Sequence, residues 1–217
     1  MTSEDNNMVN SFCKVPKYIS LLKYTKSACG VDFLLNTADS DEKKGWFNQH
    51  ERYKTDFFEF YFFRKASGVV FLDGEKIILH DNSVLIISPF KRQEWHVRVE
   101  NLDYTFLVFQ DEFIYNFISD KYFMYRLLFC YQSDNPACFD MSAEEMKPYL
   151  TILRKMKSEL HSPIADSYHM IVAYLYEFLL LLNRYYAQIH HLPLRESQQN
   201  LLLIEYHRIK YNKECNC

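Results

Sequence analysis

Between residues 57 and 109, apolar residues come in short runs separated by turn chemistry. Phe57-Phe58-Glu59-Phe60-Tyr61-Phe62-Phe63 is almost wholly aromatic, and Ser67-Gly68-Val69-Val70-Phe71-Leu72 follows it. The pair Asp73-Gly74 then precedes Glu75-Lys76-Ile77-Ile78-Leu79. An Asp-Gly pair between two β-rich runs predicts a hairpin, because both turn residues must tolerate positive φ. His80-Asp81-Asn82 reads as a second turn, and the run Ser83 to Ser88 as a strand stopped by Pro89. Trp95 to Val99 and Tyr104 to Phe109 complete the block, joined at Asn101-Leu102-Asp103. Strands at this spacing predict a sandwich or a barrel. Tyr18–Leu22 and Val31–Leu35 are candidate lead-in strands, and residues 37–56 read as a charged loop.

From Asp111 the period changes. Phe113, Phe117, Phe123 and Leu127 recur at helical spacing, which predicts a short helix over 111–119 and helical or mixed structure over 120–131. Residues 133–138 read as a loop. Ser142 with Glu145 three positions on forms a capping box, flanked by Met141 and Met146 at the staple positions. Tyr149, Leu150, Leu153, Met156 and Leu160 mark one face of the helix that follows. Pro148 predicts a bend or a later start. A second long helix is expected from the N-cap pair Ser162-Pro163, through Ile171, Leu175, Phe178, Leu179, Leu182 and Tyr186, to about His190. A weaker third helix is expected over 197–211. Strands first and helices after is the order of an α+β domain.

The 217 residues suit one large domain or two small ones. A chain of this size buries about 70% of its unfolded surface and folds without disulfides or metal. Aromatics make up 17%, with 18 Phe and 17 Tyr, so either the core is aromatic or a cavity is lined by rings. A net charge of −3 offers no electrostatic case for nucleic acid. Met1–Asn10 is polar and acidic, unlike a signal peptide, and Ile171–Leu182 is interrupted by Glu177 and too short to span a membrane. A cytoplasmic protein is expected, with no membrane partner. Cysteines 13, 29, 130, 138, 215 and 217 show no C-x-x-C spacing, and the last two read as a free pair in the tail. The chain has no P-loop, G-x-S-x-G or G-x-G-x-x-G, and none of its eight histidines forms an H-x-H or H-x-x-x-H pair. Nothing argues for an enzyme or a cofactor.

The order of these motifs resembles a known family. Asp56-Phe57-Phe58-Glu59, the Ser67-Gly68 and Asp73-Gly74 hairpin, Ile87-Ser88-Pro89, Trp95, Tyr104–Phe109, and Asp140 to Glu145 before two helices together resemble the N-terminal domain of AraC-family transcription regulators. The resemblance covers about residues 45–190. It implies a cupin-like β-barrel, a small double-sheet antiparallel barrel, followed by two long C-terminal helices. The expected organisation is a flexible arm over 1–16, a barrel sensor over 17–110, a helical dimerisation region over 111–194, and the start of a linker helix and tail over 195–217. The family's helix-turn-helix half is not matched, so DNA would be reached only through a domain outside this sequence.

Many cupins hold a metal through an H-x-H pair, a Glu and a later His. Those positions fall here on Tyr53, Thr55, Glu59 and Gln93, so only the Glu survives and no metal is expected. The same mapping, with a side-chain period of two, turns Phe57, Glu59, Tyr61 and Phe63 inward, with Gln93 and Trp95 facing them. His96 has the opposite parity and reads as a surface residue. An inward Glu59 needs partners or its pKa rises. Ligand contact and structural pairing, for example with Arg92, both satisfy it. Phe57 and Phe63 read as core or as cavity wall; Trp46, His50 and Tyr53 read as loop packing or as a cap at the mouth.

The resemblance implies a small-molecule effector, a sugar or another metabolite, held by Tyr53, Glu59, Tyr61, Gln93 and Trp95. It implies a homodimer through Tyr149, Leu153, Met156, Leu160, Phe178 and Leu182, although the same stripe is ordinary for an internal core. The alternative is an interaction protein that pairs with a full-length regulator and modulates it.

Overall fold

The computed structural model describes residues 35–40, 52–98, 100, 102–120, 122–131 and 138–194. Residues 1–16, the candidate strand 18–22, Trp46, His50, the helix expected over 197–211 and cysteines 13, 29, 215 and 217 lie outside the described residues.

Among the described residues, eight strands form two antiparallel sheets. In chain order they are β1 (Leu35–Asp39), β2 (Phe58–Lys65), β3 (Gly68–Leu72), β4 (Glu75–Leu79), β5 (Ser83–Ile87), β6 (Gln93–Val97), β7 (Asp103–Phe109) and β8 (Cys138–Asp140). The larger sheet has the order β1-β7-β2-β5-β8 and the smaller β4-β3-β6. The helices are α1 (Asp111–Tyr115), α2 (Leu128–Tyr131), α3 (Ala143–His161) and α4 (Ser167–Ile189), with a 3₁₀ turn at Met124–Arg126. The architecture is α+β: a double-sheet block followed by two long helices.

The aromatic run 57–63 has a simple explanation. The five-stranded sheet is covered on both faces, so its central strand is apolar at both parities. Phe58, Phe60 and Phe62 of β2 pack with Leu107 and Phe109 of β7 in the core shared with the helices. Phe57, Tyr61 and Phe63 pack in a second core with Val70, Trp95 and Phe106, between the two sheets. Phe178 of α4 meets Phe60 and Phe62 edge-on at 5.5 and 5.8 Å, and Tyr149 of α3 stacks on Phe62 at 5.7 Å.

The Asp73-Gly74 hairpin forms as expected, with φ of 52° and 91° at the two turn residues. Gly68 at φ 139° is demanded by a close approach as well: a Cβ there would sit 2.5 Å from the His96 carbonyl oxygen. Asn82 takes positive φ in the second turn. The Ser142–Glu145 capping box starts α3, with the Ser142 N–H donating to Glu145 Oε2 at 2.9 Å and the Glu145 N–H to Ser142 Oγ at 3.3 Å.

Several expectations are corrected. Residues 37–39, expected in a loop, belong to β1, because their alternating side chains continue the sheet beside β7. Cys138, expected in a loop, opens β8, which pairs with β5. The helix expected over 111–119 ends at Tyr115. α3 begins at its capping box and runs unbroken through Pro148, which sits on its exposed side. A carbonyl left without an amide partner there can turn to water. Ser162-Pro163 does not start the second helix. Proline disfavours helical geometry at the residue before it, so Ser162 closes α3, its N–H donating to Ser158 at 2.9 Å. Ser167 then organises the turn, accepting from the Ile164 N–H at 2.8 Å and donating to Glu159, and opens α4.

The six residues expected at a dimer interface are placed in the chain's own core. Tyr149, Leu153, Met156, Leu160, Phe178 and Leu182 are all buried between the helices and the larger sheet. The stripe covers the outer face of β2 and β7. No helix among the described residues is long and apolar enough to cross a membrane.

Candidate functional site

Glu59 lies near the start of β2 with 0% of its surface exposed. The period of two along the strand puts it on the inter-sheet face with Tyr61. Its carboxylate accepts three hydrogen bonds from three segments. Thr55 Oγ1 donates to Oε1 at 2.6 Å, Gln93 Nε2 donates to the same oxygen at 2.5 Å, and the Tyr61 hydroxyl donates to Oε2 at 2.8 Å. Trp95 Nε1 in turn donates to Gln93 Oε1 at 3.0 Å, which fixes the amide so that its nitrogen faces Glu59. The chain Trp95–Gln93–Glu59 therefore ties the smaller sheet to the larger across the aromatic interior. Arg92, a candidate partner from sequence, is not what holds Glu59. Its backbone N–H donates to Asp73 at 2.9 Å at the surface.

The segment before β2 makes this convergence possible. Tyr53 and Gln93 exchange both backbone bonds, at 3.1 and 2.9 Å, so residue 53 extends the smaller sheet beside β6. Phe90 N–H donates to the Thr55 carbonyl at 2.7 Å. By Phe58 the chain has joined the larger sheet as β2. This corner brings Thr55, two residues past the Tyr53 bridge, to Glu59 on the larger sheet.

Rings pack around Tyr61, the donor to Glu59 Oε2. Tyr61 lies edge-on to Trp95 at 5.1 Å and stacked with Phe106 at 5.8 Å and Phe63 at 5.9 Å. Tyr104 joins at 6.0 Å, and burial pushes its phenol well above the ordinary tyrosine range. Tyr53, Glu59, Tyr61, Gln93 and Trp95 are thus brought into one space, all at most 9% exposed, and the last four turn their polar atoms on one another. Phe57 and Phe63 are fully buried in the same core. His96 lies on the opposite face of β6, edge-on to Phe71 at 5.3 Å and bonded to Glu94 at 2.7 Å.

The network borders a cleft at Gln93, which is itself buried. Gln93 lines this cleft, of about 430 Å³, with Arg52, Phe71, Asp73, Arg92 and Glu94. Arg52 pairs with Glu94 at 2.5 Å and Lys91 with Asp73 at 2.8 Å across its rim. The side chains beside Glu59 are hydroxyls and an amide, without imidazole or thiolate, and suit hydroxyl recognition better than transition-metal ligation.

No family model matches the chain. No curated protein matches it either. Among solved structures, the chain is similar to apo ToxT from Vibrio cholerae, at 9% identity and a TM-score of 0.39, over 70% of this chain and 56% of that one. It is similar to ToxT with an unsaturated fatty acid bound, at 12% identity and a TM-score of 0.39, over 73% of this chain and 54% of that one. The plu4264 protein of Photorhabdus luminescens matches 39% of this chain and 82% of its own, at 11% identity and a TM-score of 0.25. The chain thus spans little more than half the length of the ToxT chains it matches.

Sequence reasoning picked out Glu59 and Gln93 through the resemblance to cupins, and Tyr61 and Trp95 by extending that mapping with a side-chain period of two. It passed over Thr55 as a working member, although Thr55 shares that parity. A buried carboxylate with a hydroxyl four residues before it was the signal available.

Proposed function

We propose that this chain is the effector-sensing module of an AraC-like transcription regulator. The observation that carries the proposal is the buried polar relay Trp95–Gln93–Glu59, set in an aromatic interior, whose middle member Gln93 borders a cleft. A small molecule with hydroxyl groups enters at Gln93 and replaces Thr55 or Gln93 as donor to Glu59. Its apolar face lies on Tyr61 and Trp95. Because the relay joins the two sheets, exchanging one of its bonds for a ligand bond alters how the sheets are held together. That is a physical route from occupancy to the helices behind β2. The reading gives the chain no catalytic step. A homodimer belongs to the same proposal and uses the outer faces of α3 and α4, where Tyr176 is exposed, since the inner faces are spent on the core.

Thermal melting against sugars, metabolites and unsaturated fatty acids tests this, the last because one ToxT structure carries such a ligand. A ligand at a hundredfold over its dissociation constant adds about 2.7 kcal/mol to the folded state. The expected result is a shift with one chemical class, lost in the folded Glu59→Gln, Trp95→Ala double variant. An unchanged shift in that variant rejects the site. Sedimentation as a monomer at high micromolar concentration rejects the dimer.

A further inference from the structure

A second cleft, about 520 Å³, lies between α3 and the β1 side of the larger sheet. It falls within the roughly 300–1,000 Å³ of small-molecule sites and has no part in the relay around Glu59. Its charged walls come from residues distant in sequence: Asp39 on β1, Arg64 on β2, and Arg154, Lys157 and His161 on α3. Two of the cations are matched by carboxylates. Arg64 forks onto Asp103, with its Nε at 3.0 Å, and Lys157 Nζ meets Asp39 at 2.9 Å. These pairs cancel, and Arg154 leaves the cleft with one net positive charge. The helix C-terminus contributes only about half a negative charge, so the positive excess stands, in a chain whose net charge is −3. His161 Nδ1 donates to the Lys157 carbonyl at 2.7 Å, which orients the ring.

Leu150, half-buried, and Arg154, exposed, both line the cleft and stand four residues apart on α3, on the same face of the helix. At about 1.5 Å per residue they are roughly 6 Å apart along the axis. A single positive charge suits a monoanion, and Leu150 beside it suits a small apolar body. We propose that this cleft binds a small organic monoanion, with its carboxylate-type head on Arg154 and its apolar portion on Leu150. Such a ligand would bridge α3 and the edge of the barrel from outside the inter-sheet space.

The test is an NMR titration of the full chain with benzoate, with benzyl alcohol as the neutral counterpart and inorganic phosphate as a more highly charged anion. Saturable benzoate shifts confined to residues 150–162 and 37–39 are expected. Arg154→Gln, which removes an exposed side chain, should weaken benzoate at least about tenfold, the loss of one charge-assisted hydrogen bond. The Glu59→Gln, Trp95→Ala variant should bind it unchanged. The proposal is overturned by equal affinity in Arg154→Gln, by equal affinity for benzyl alcohol, by phosphate binding more tightly than benzoate, by shifts confined to the surroundings of Glu59, or by no saturable binding up to about 10 mM.

Discussion

Glu59 is a carboxylate removed from water and returned its hydrogen bonds by Thr55, Tyr61 and Gln93. Each buried donor left unsatisfied costs about 1–3 kcal/mol. Glu59→Ala strands three of them, so it should cost at least about 3 kcal/mol in urea unfolding. A loss below about 1 kcal/mol would mean that water replaces the carboxylate at no expense, and that the relay is not what joins the sheets. The two β-hairpin glycines separate strain from space. Gly74 has positive φ and open space where a Cβ would stand, whereas Gly68 has positive φ and a carbonyl oxygen in the way. Gly74→Ala should cost about 1–2 kcal/mol from backbone strain, and Gly68→Ala clearly more, in the same denaturation assay. The resemblance to cupins, extended by parity along β2, made the inward face of Glu59 readable from sequence. Its partners were not, because Gln93 lies 34 positions away and meets it only through the corner at Tyr53.

At the scale of elements, caps were legible and turns between helices less so. The capping box works through neighbours three residues apart, so sequence alone locates the start of α3. Ser142→Ala should cost about 1 kcal/mol, visible as a lower melting temperature with the helix otherwise intact. Ser162-Pro163 carries the local signature of a helix start. The chain must reverse there so that α4 can return along α3, and that need overrides local preference. Contact between α3 and β1 has its own signature in acid. Burial alone would raise the Asp39 carboxyl, but the Thr105 hydroxyl and the Lys157 ammonium overcome it and hold it below the ordinary value. A carboxyl lowered by folding stabilises the protein above its unfolded pKa, near 3.9. That contribution is lost as pH falls through the lower folded value. The stability difference between the native chain and Asp39→Asn should therefore be full at neutral pH and shrink as pH falls below about 4. A difference independent of pH down to the acid limit would remove the ion pair as its cause.

Across the whole molecule, the larger sheet is the central layer, with the smaller sheet on one side and α3 and α4 on the other. Phe178 fastens the helical side, touching Phe60, Phe62 and Tyr149. Phe178→Ala should destabilise by about 3–5 kcal/mol, with strands and helices lost in one transition. Two separate transitions would show that the helices and the double sheet are independent units. The same layering explains the fate of the apolar stripe on the helices. Its spacing is identical for an internal contact and for a partner's, and only the presence of the outer face of β2 and β7 selects between them.

The chain's own pattern determined what is local: strand period, the Asp73-Gly74 turn, the capping box, and the placing of the two long helices after the strands. These depend on neighbours a few residues apart, and side-chain chemistry alone settles them. Tertiary structure decided what depends on distant neighbours. It paired Glu59 with Gln93 rather than Arg92, buried the helical stripe, drew 37–39 into a strand, and gathered Asp39, Arg64, Arg154 and Lys157 around one cleft. Burial and charge pairing are properties of space, and residues far apart in the chain acquire them only when the sheets and helices close on one another.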